Sequence, residues 1–329
     1  MRYLKKAVLI GTLVMAVLGM TGCGSGSGSG EKKAETVNVG YFNNVTHAQA
    51  LLMKAEKNLE NSFGDVKVNW TAFNAGPAEV EALFAGDIDI GYIGPVPAIS
   101  ANVKSKGDVV ILSSATKGGA VLIRRKGTGI NSAADLSGKV VAIPQIGNTQ
   151  HLNLLQLLKD NNLKPDTEGG DVKVSAVANA DVANMMERGD IDAALVPEPW
   201  GTTLLEQGAE LVLDYDEFYM DGQYDVAVVV VRKEFMEENP ELVEKFLKEH
   251  EAATTKINDN REESLKVINT ELKNATGKAL GENIIAGAFE RIGVSTEINR
   301  ESVMGFANIS KEQNFISELP DENNLFANK

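Results

Sequence analysis

Apolar and polar positions alternate along Thr36-Val-Asn-Val-Gly-Tyr41, the period-two pattern of a half-buried strand. The period then changes. Thr46 precedes a stretch of helical spacing that ends near Asn61, with Gln49 three residues after it, so a capping box with Thr46 as N-cap is expected. Val66 to Phe73 reads as a second strand. Gly76-Pro77 opens another helix, with proline at a position whose N–H would be unpaired anyway. Gly86 closes that helix, and Asp87-Ile-Asp-Ile-Gly-Tyr-Ile93 is the next strand. Strand and helix taking turns predicts an α/β fold with mostly parallel sheets.

The pattern has an echo. Asn74-Ala75, a short helix and Gly86-Asp-Ile-Asp89 lead into a strand that ends at Gly94-Pro95. Asn179-Ala180, a short helix and Gly189-Asp-Ile-Asp192 lead into a strand that ends at Pro197-Glu-Pro199, with Met186 in the place of Leu83. Two similarly built lobes are expected, with their strand ends facing. Ligands of open α/β sheets bind at the carboxyl ends of strands, so the cleft between lobes is the expected site.

The N-terminus changes the picture of where the protein works. Arg2, Lys5 and Lys6 precede an apolar run from Ala7 to Leu18 that is short for a membrane span. Gly22-Cys23 follows and resembles a bacterial lipobox, with Met20 departing from the usual aliphatic residue. We expect residues 1–23 to be a lipoprotein signal with Cys23 lipidated, and 24–35, rich in Gly and Ser and then charged, to be a flexible tether. Cys23 is the single cysteine, so no intramolecular disulfide, thiolate metal site or cysteine nucleophile is available to the fold. The net charge of −14 becomes more negative once the three signal cations are removed, which argues against nucleic acid and against a polybasic membrane patch.

In order along the chain, Gly91-Tyr-Ile-Gly-Pro-Val-Pro-Ala98, Pro144-Gln-Ile-Gly-Asn-Thr-Gln150 and Val196-Pro-Glu-Pro-Trp200 resemble the nitrate/sulfonate/taurine family of ABC-transporter solute-binding proteins. The resemblance runs from about Val37 to Arg232. It implies a type II periplasmic-binding-protein fold, an α/β architecture of two lobes that close on a ligand. It further implies lobe one at 36–123 plus 229–329 and lobe two at 124–228, with the valine run Val226 to Val231 returning across the hinge. The partners it implies are a small-molecule anion or zwitterion and the permease and ATPase of an importer. A monomer held by its lipid on the extracytoplasmic face of the cell membrane is expected.

A buried anion needs donors to replace its water, and helix N-termini supply them. Four turns offer such groups. Asn44, Thr46 and His47 enter the first helix; Gly94 and Pro95 open a later one; Asn148, Thr149 and Gln150 open a third; Glu198 and Trp200 lie in the proline-flanked fourth. Glu198 would repel a bare anion but pair with an ammonium group, or it ties the lobes together or meets the transporter. Gly119, before the first crossover, either gives backbone N–H groups or serves as hinge. His151 reads as structural.

A flat organic solute, such as an aromatic carboxylate or a thiamine-precursor pyrimidine, is the alternative ligand, with Tyr41, Phe42, Tyr92 and Trp200 as stacking candidates. An enzyme is disfavoured. The three histidines, His47, His151 and His250, have no metal-ligand spacing, and neither a G-x-S-x-G elbow nor a phosphate-binding loop occurs. Asp87 and Asp89 read as a helix-exit turn. No cofactor, metal or catalytic residue is expected.

Overall fold

Two sheets organise the computed structural model, which describes residues 34–327. The signal segment, the Cys23 lipidation site and all but the last residues of the tether lie outside the described residues. The chain begins with β1 (Thr36–Phe42), α1 (Ala48–Glu56), α2 (Asn58–Phe63), β2 (Lys67–Phe73), α3 (Gly76–Ala85), β3 (Ile90–Ile93), α4 (Pro95–Lys104) and β4 (Val109–Gly118). It crosses into β5 (Ala120–Arg124), β6 (Val140–Ile143), α5 (Thr149–Asp160), β7 (Lys173–Ala176), α6 (Val182–Arg188), β8 (Ala193–Pro197), α7 (Trp200–Glu206) and β9 (Glu210–Leu213). It returns through β10 (Asp225–Arg232) to α8 (Lys233–Glu238), α9 (Pro240–Asp259), α10 (Arg261–Thr276), α11 (Glu282–Glu290), β11 (Ile292–Val294), α12 (Arg300–Glu312) and α13 (Glu322–Leu325).

The first sheet is ordered β11-β4-β10-β3-β1-β2 and the second β7-β6-β8-β5-β9. In each, three parallel strands meet one antiparallel neighbour: β2-β1-β3 with β10, and β7-β6-β8 with β5. Helices cover both faces of each sheet, so central strands are apolar on both sides. In β10, Ala227, Val229 and Val231 enter the core under α1, α9 and α10, while Val226, Val228 and Val230 enter the core under α3, α4 and α12.

The lobe boundaries expected at 123/124 and 228/229 fall inside strands. Ala120 already pairs with Pro197 of β8, and Asp225 already pairs with Lys117 of β4. Pairing partners decide which sheet a strand joins, and hydropathy does not reveal them. The expected capping box is corrected. Helix α1 is entered through a 3-10 turn, Val45–His47, capped by Asn44 without a side-chain bond. Gln49 instead donates to the Ala115 carbonyl at 2.7 Å and to Thr254 Oγ1 at 3.2 Å. The helix expected to reach Asn61 is broken at Lys57, whose φ of 57° is left-handed.

The Gly-Asp-Ile-Asp echo is a repeated joint. Asp89 Oδ2 accepts from Asn38 N–H at 2.8 Å, and Asp192 Oδ2 accepts from Val140 N–H at 3.0 Å. Arg232 Nη2 donates to Asp89 Oδ1 at 2.7 Å, and Arg125 Nη2 donates to Asp192 Oδ1 at the same distance. Each arginine also donates from Nε to the carbonyl before the aspartate, Ile88 or Ile191, at 3.1 Å. One carboxylate thus pins the start of a parallel neighbour and the end of the antiparallel strand, which sets register. The Gly91 position in β3 is also constrained: a Cβ there would fall on the carboxyl of Glu79, which is wholly buried on α3. Burial raises that carboxyl well above the usual range.

We expect Asp89→Ala to cost about 3 kcal/mol, the order seen when one member of a buried pair is removed. Asp192→Ala should cost less, because its side chain is 20% exposed against 6% for Asp89. Urea midpoints of the two variants check this, and equal losses would refute the ranking.

Candidate functional site

Six parallel strands, β1, β2 and β3 of one sheet and β6, β7 and β8 of the other, send the turns at their carboxyl ends to one cavity of about 30 Å³. The turn after β1 brings Asn44, Thr46 and His47, that after β2 brings Asn74 and Gly76, and that after β3 brings Gly94 and Pro97. Across from them, the turn after β6 and the start of α5 supply Asn148, Thr149 and Gln150, the turn after β7 supplies Asn179, and the end of β8 supplies Pro197. The N-termini of α3, α4 and α5 border the same space with the positive ends of their dipoles, although Pro77, Pro95 and Pro97 lack an N–H and the His151 N–H is taken by Asn148.

No lysine, arginine, aspartate or glutamate lines this cavity. Its one titratable group is His47, which burial lowers to about 3. The ring is therefore neutral at physiological pH. Its Nδ1 accepts from Phe42 N–H at 3.1 Å, so its proton sits on Nε2 and the imidazole is a donor. Phe42 stacks on the ring with centroids 4.3 Å apart and holds its plane.

Asn148 caps α5. Its Oδ1 accepts from His151 N–H at 2.9 Å and its Nδ2 donates to Gln150 Oε1 at 3.0 Å. The Thr149 hydroxyl and the Asn179 Oδ1 are buried and have no hydrogen-bond partner. Unsatisfied buried polar atoms are uncommon in native proteins, and these two face a cavity where a ligand or water can satisfy them.

Four expected site residues stand elsewhere. Pro95 is buried beneath the wall on α4. Gly119 accepts through its carbonyl from Glu198 N–H at 2.8 Å, and its φ of 81° favours glycine. Glu198 is fully buried and takes both the N–H and the hydroxyl of Thr202 at 3.0 Å. Burial raises its carboxyl above the usual range, opposed by those bonds and by Arg291. Arg291 lies 3.7 Å from Glu198, donates to Asp214 at 2.8 Å and reaches Thr202 Oγ1 at 3.2 Å. This joins the end of α11 to α7 and to the turn after β9. Trp200 donates from Nε1 to Asn44 Oδ1 at 2.7 Å and faces a neighbouring cavity. His151 is structural: its Nδ1 accepts from Gly147 N–H at 3.1 Å and its ring lies 5.1 Å from Phe315.

Sequence reasoning missed Asn74 and Asn179 as wall residues, and gave Pro97 and Pro197 only the role of fixing their turns. The signal for Asn74 and Asn179 was present: they open the two halves of the echo. Of the stacking candidates, Tyr41 packs edge-on against Trp70, and Tyr92 bonds His250 Nδ1 at 2.8 Å in the core, so only Phe42 reaches the cavity. Among the described residues no group of three or more His, Cys, Asp or Glu could hold a metal, and no helix is long and apolar enough to cross a membrane.

The profile of the NMT1-like family matches residues 30–269. The chain is 32% identical over 217 residues to the taurine-binding periplasmic protein of Escherichia coli K12, covering 66% of this chain and 65% of that protein, just under two thirds of its length. It is 26% identical over 256 residues to a putative aliphatic sulfonates-binding protein of the same organism, 77% of each. The crystal structure of the periplasmic aliphatic sulphonate binding protein SsuA from Escherichia coli superposes with a TM-score of 0.70 at 24% identity, over 88% of this chain and 96% of that one.

A buried His47 of lowered pKa contributes stability that is fully present above the unfolded value near 6.5 and is lost as pH falls toward about 3. His151 and His250, each lowered to about 4 by burial, act in the same direction. Asp225, raised to about 6 by burial, acts in the opposite one. We expect His47→Gln to lose less stability than the wild type between pH 6.5 and 4.5. Equal slopes in denaturant titrations at the two pH values would show that the native ring is not held neutral.

Proposed function

The chain belongs to the NMT1-like family, and from that premise we propose that it is the solute-binding receptor of an ABC importer that captures a small oxyanion, a sulfonate foremost. The observation that carries this reading is a cavity at six converging strand ends, lined with neutral donors and with no charged side chain. An anion gains there from several partial charges without meeting a carboxylate. The relatives named for taurine and for aliphatic sulfonates support the ligand class.

Capture works through both halves. Asn44, Thr46, His47 and Gly94 belong to the first sheet's turns, and Asn148, Thr149, Gln150 and Asn179 to the second's. A ligand touching both sets stabilises the state in which they are close, and that state is the one the permease and its ATPase receive. Trp200 on Asn44, and Arg291 on Asp214 and Thr202, are further contacts of that state. The lobes divide, in this reading, at Gly118-Gly119 and at Tyr224, the turns before β5 and β10. Cys23 is the lipid anchor, residues 24–35 the tether, and the receptor is a monomer on the extracytoplasmic face.

Thr149→Val should weaken methanesulfonate binding by about tenfold, the worth of one hydrogen bond to a charged group. His47→Phe should do the same while His47→Gln retains a donor and most of the affinity. Calorimetric titration of protein begun after the tether checks both. Absence of binding by methanesulfonate, nitrate and sulfate alike would refute the oxyanion reading. For the anchor, mass spectrometry of the membrane-extracted protein should find a diacylglyceryl-modified Cys23 at the mature N-terminus, and an unmodified N-terminus at any other residue would refute it.

A further inference from the structure

The polar cavity is too small for an organic sulfonate. About 30 Å³ provides about two water positions, enough for the oxygens of one head group and nothing more. Beside it lies a second cavity of about 320 Å³. Asn179 stands in both walls, and the consecutive residues Asn43 and Asn44 stand one in each. The Oδ1 atoms of Asn43 and Asn179 are both buried without a partner, so the boundary between the cavities is the polar part of the larger one.

Beyond that boundary the larger cavity is mostly apolar, with Thr203, Gln207, Thr276 and Lys278 as its polar wall residues. Trp200 and Leu204 on α7 and Ala183 on α6 form one side. Leu272 on α10, Leu280 in the loop and Ile284 on α11 form the other. No aspartate or glutamate lines either cavity, and the only charged wall residue of the larger one is Lys278. Glu198, the acid that the sequence offered for an ammonium group, is held by Thr202 and Arg291.

We infer that the ligand is an amphipathic oxyanion whose head fills the polar cavity and whose uncharged hydrocarbon part lies in the chamber between Trp200 and the α10–α11 loop. This rests on the oxyanion reading of the polar cavity and narrows it. A zwitterion of the same length would bring an ammonium group into an apolar space beside Lys278, without a counter-charge. A purely inorganic anion would leave the chamber unused.

The test is a calorimetric series of methane-, propane- and hexanesulfonate with 2-aminoethanesulfonate, the charged isostere of the propyl compound. Burial of one methylene is worth about 0.8 kcal/mol, so affinity should rise about fourfold per methylene, and 2-aminoethanesulfonate should bind at least tenfold more weakly than propanesulfonate. Ala183→Phe and Ala279→Phe fill the chamber from opposite walls, one half-buried and one exposed. Each should keep the affinity for methanesulfonate and lose the gain with length. Equal affinities along the series, tighter binding of the zwitterion, or hexanesulfonate binding unchanged in both filled variants would overturn the inference while the head-group reading stands. Failure of methanesulfonate itself would remove that reading and this inference with it.

Discussion

A single aspartate at a helix exit holds three strands together, and the protein uses this joint twice. Asp89 and Asp192 each accept an N–H near the start of a parallel neighbour and an arginine at the end of the antiparallel strand beside them. The joint sits at the amino ends of the parallel strands. It fixes their register there, and strands of similar length then finish level at the other end. The cavity depends on that levelling, because its polar wall residues lie in the turns that follow strands or in the first turn of the next helix. Shift one strand by a residue and its side chains exchange faces.

Under the proposed oxyanion reading, the cavity reconciles two opposed requirements. The protein carries a net charge of −14, so its overall field repels anions, and a buried anion also loses its water. Neutral hydrogen-bond donors and helix ends act only at short range, where the overall field matters least. His47 belongs to this scheme. Burial removes its charge, the Phe42 N–H fixes which nitrogen keeps the proton, and the result is a donor of defined direction. A charged imidazole would attract an anion more strongly but would be costly whenever the cavity emptied.

Contacts between the halves differ in worth. Lys159 and Glu312 meet across α5 and α12 at 2.6 Å, but both side chains are more than half exposed, so water and salt screen the pair. The Arg291 group is better protected: its guanidinium is 19% exposed and it serves Asp214, Thr202 and the buried Glu198 together. Trp200 on Asn44 stands at the boundary of the two cavities, where a ligand spanning them would meet it. The tie and the cavity boundary therefore share an element, since α7 carries both Trp200 and Thr202.

Local patterns reached far into this protein. The alternation in β1, the proline and glycine limits of α3, and the asparagine before α5 are short-range chemistry, in which a residue's own backbone preference or nearest hydrogen bond decides the outcome. The repeated Gly-Asp-Ile-Asp turn even announced the internal likeness of the two halves. Asn44, Thr46, His47, Gly94, Asn148, Thr149 and Gln150 were legible as wall residues because a turn after a strand and before a helix is recognisable in sequence. What tertiary structure alone decided were the partners that lie far along the chain. Gln49 gave up a capping role for the Ala115 carbonyl, Arg232 found Asp89, and Glu198 turned from the cleft to Thr202 and Arg291. A buried polar side chain takes whatever donor or acceptor packing brings within 3 Å, and packing is set by the whole chain; sequence order therefore could say which groups needed partners, but not which partners they would get.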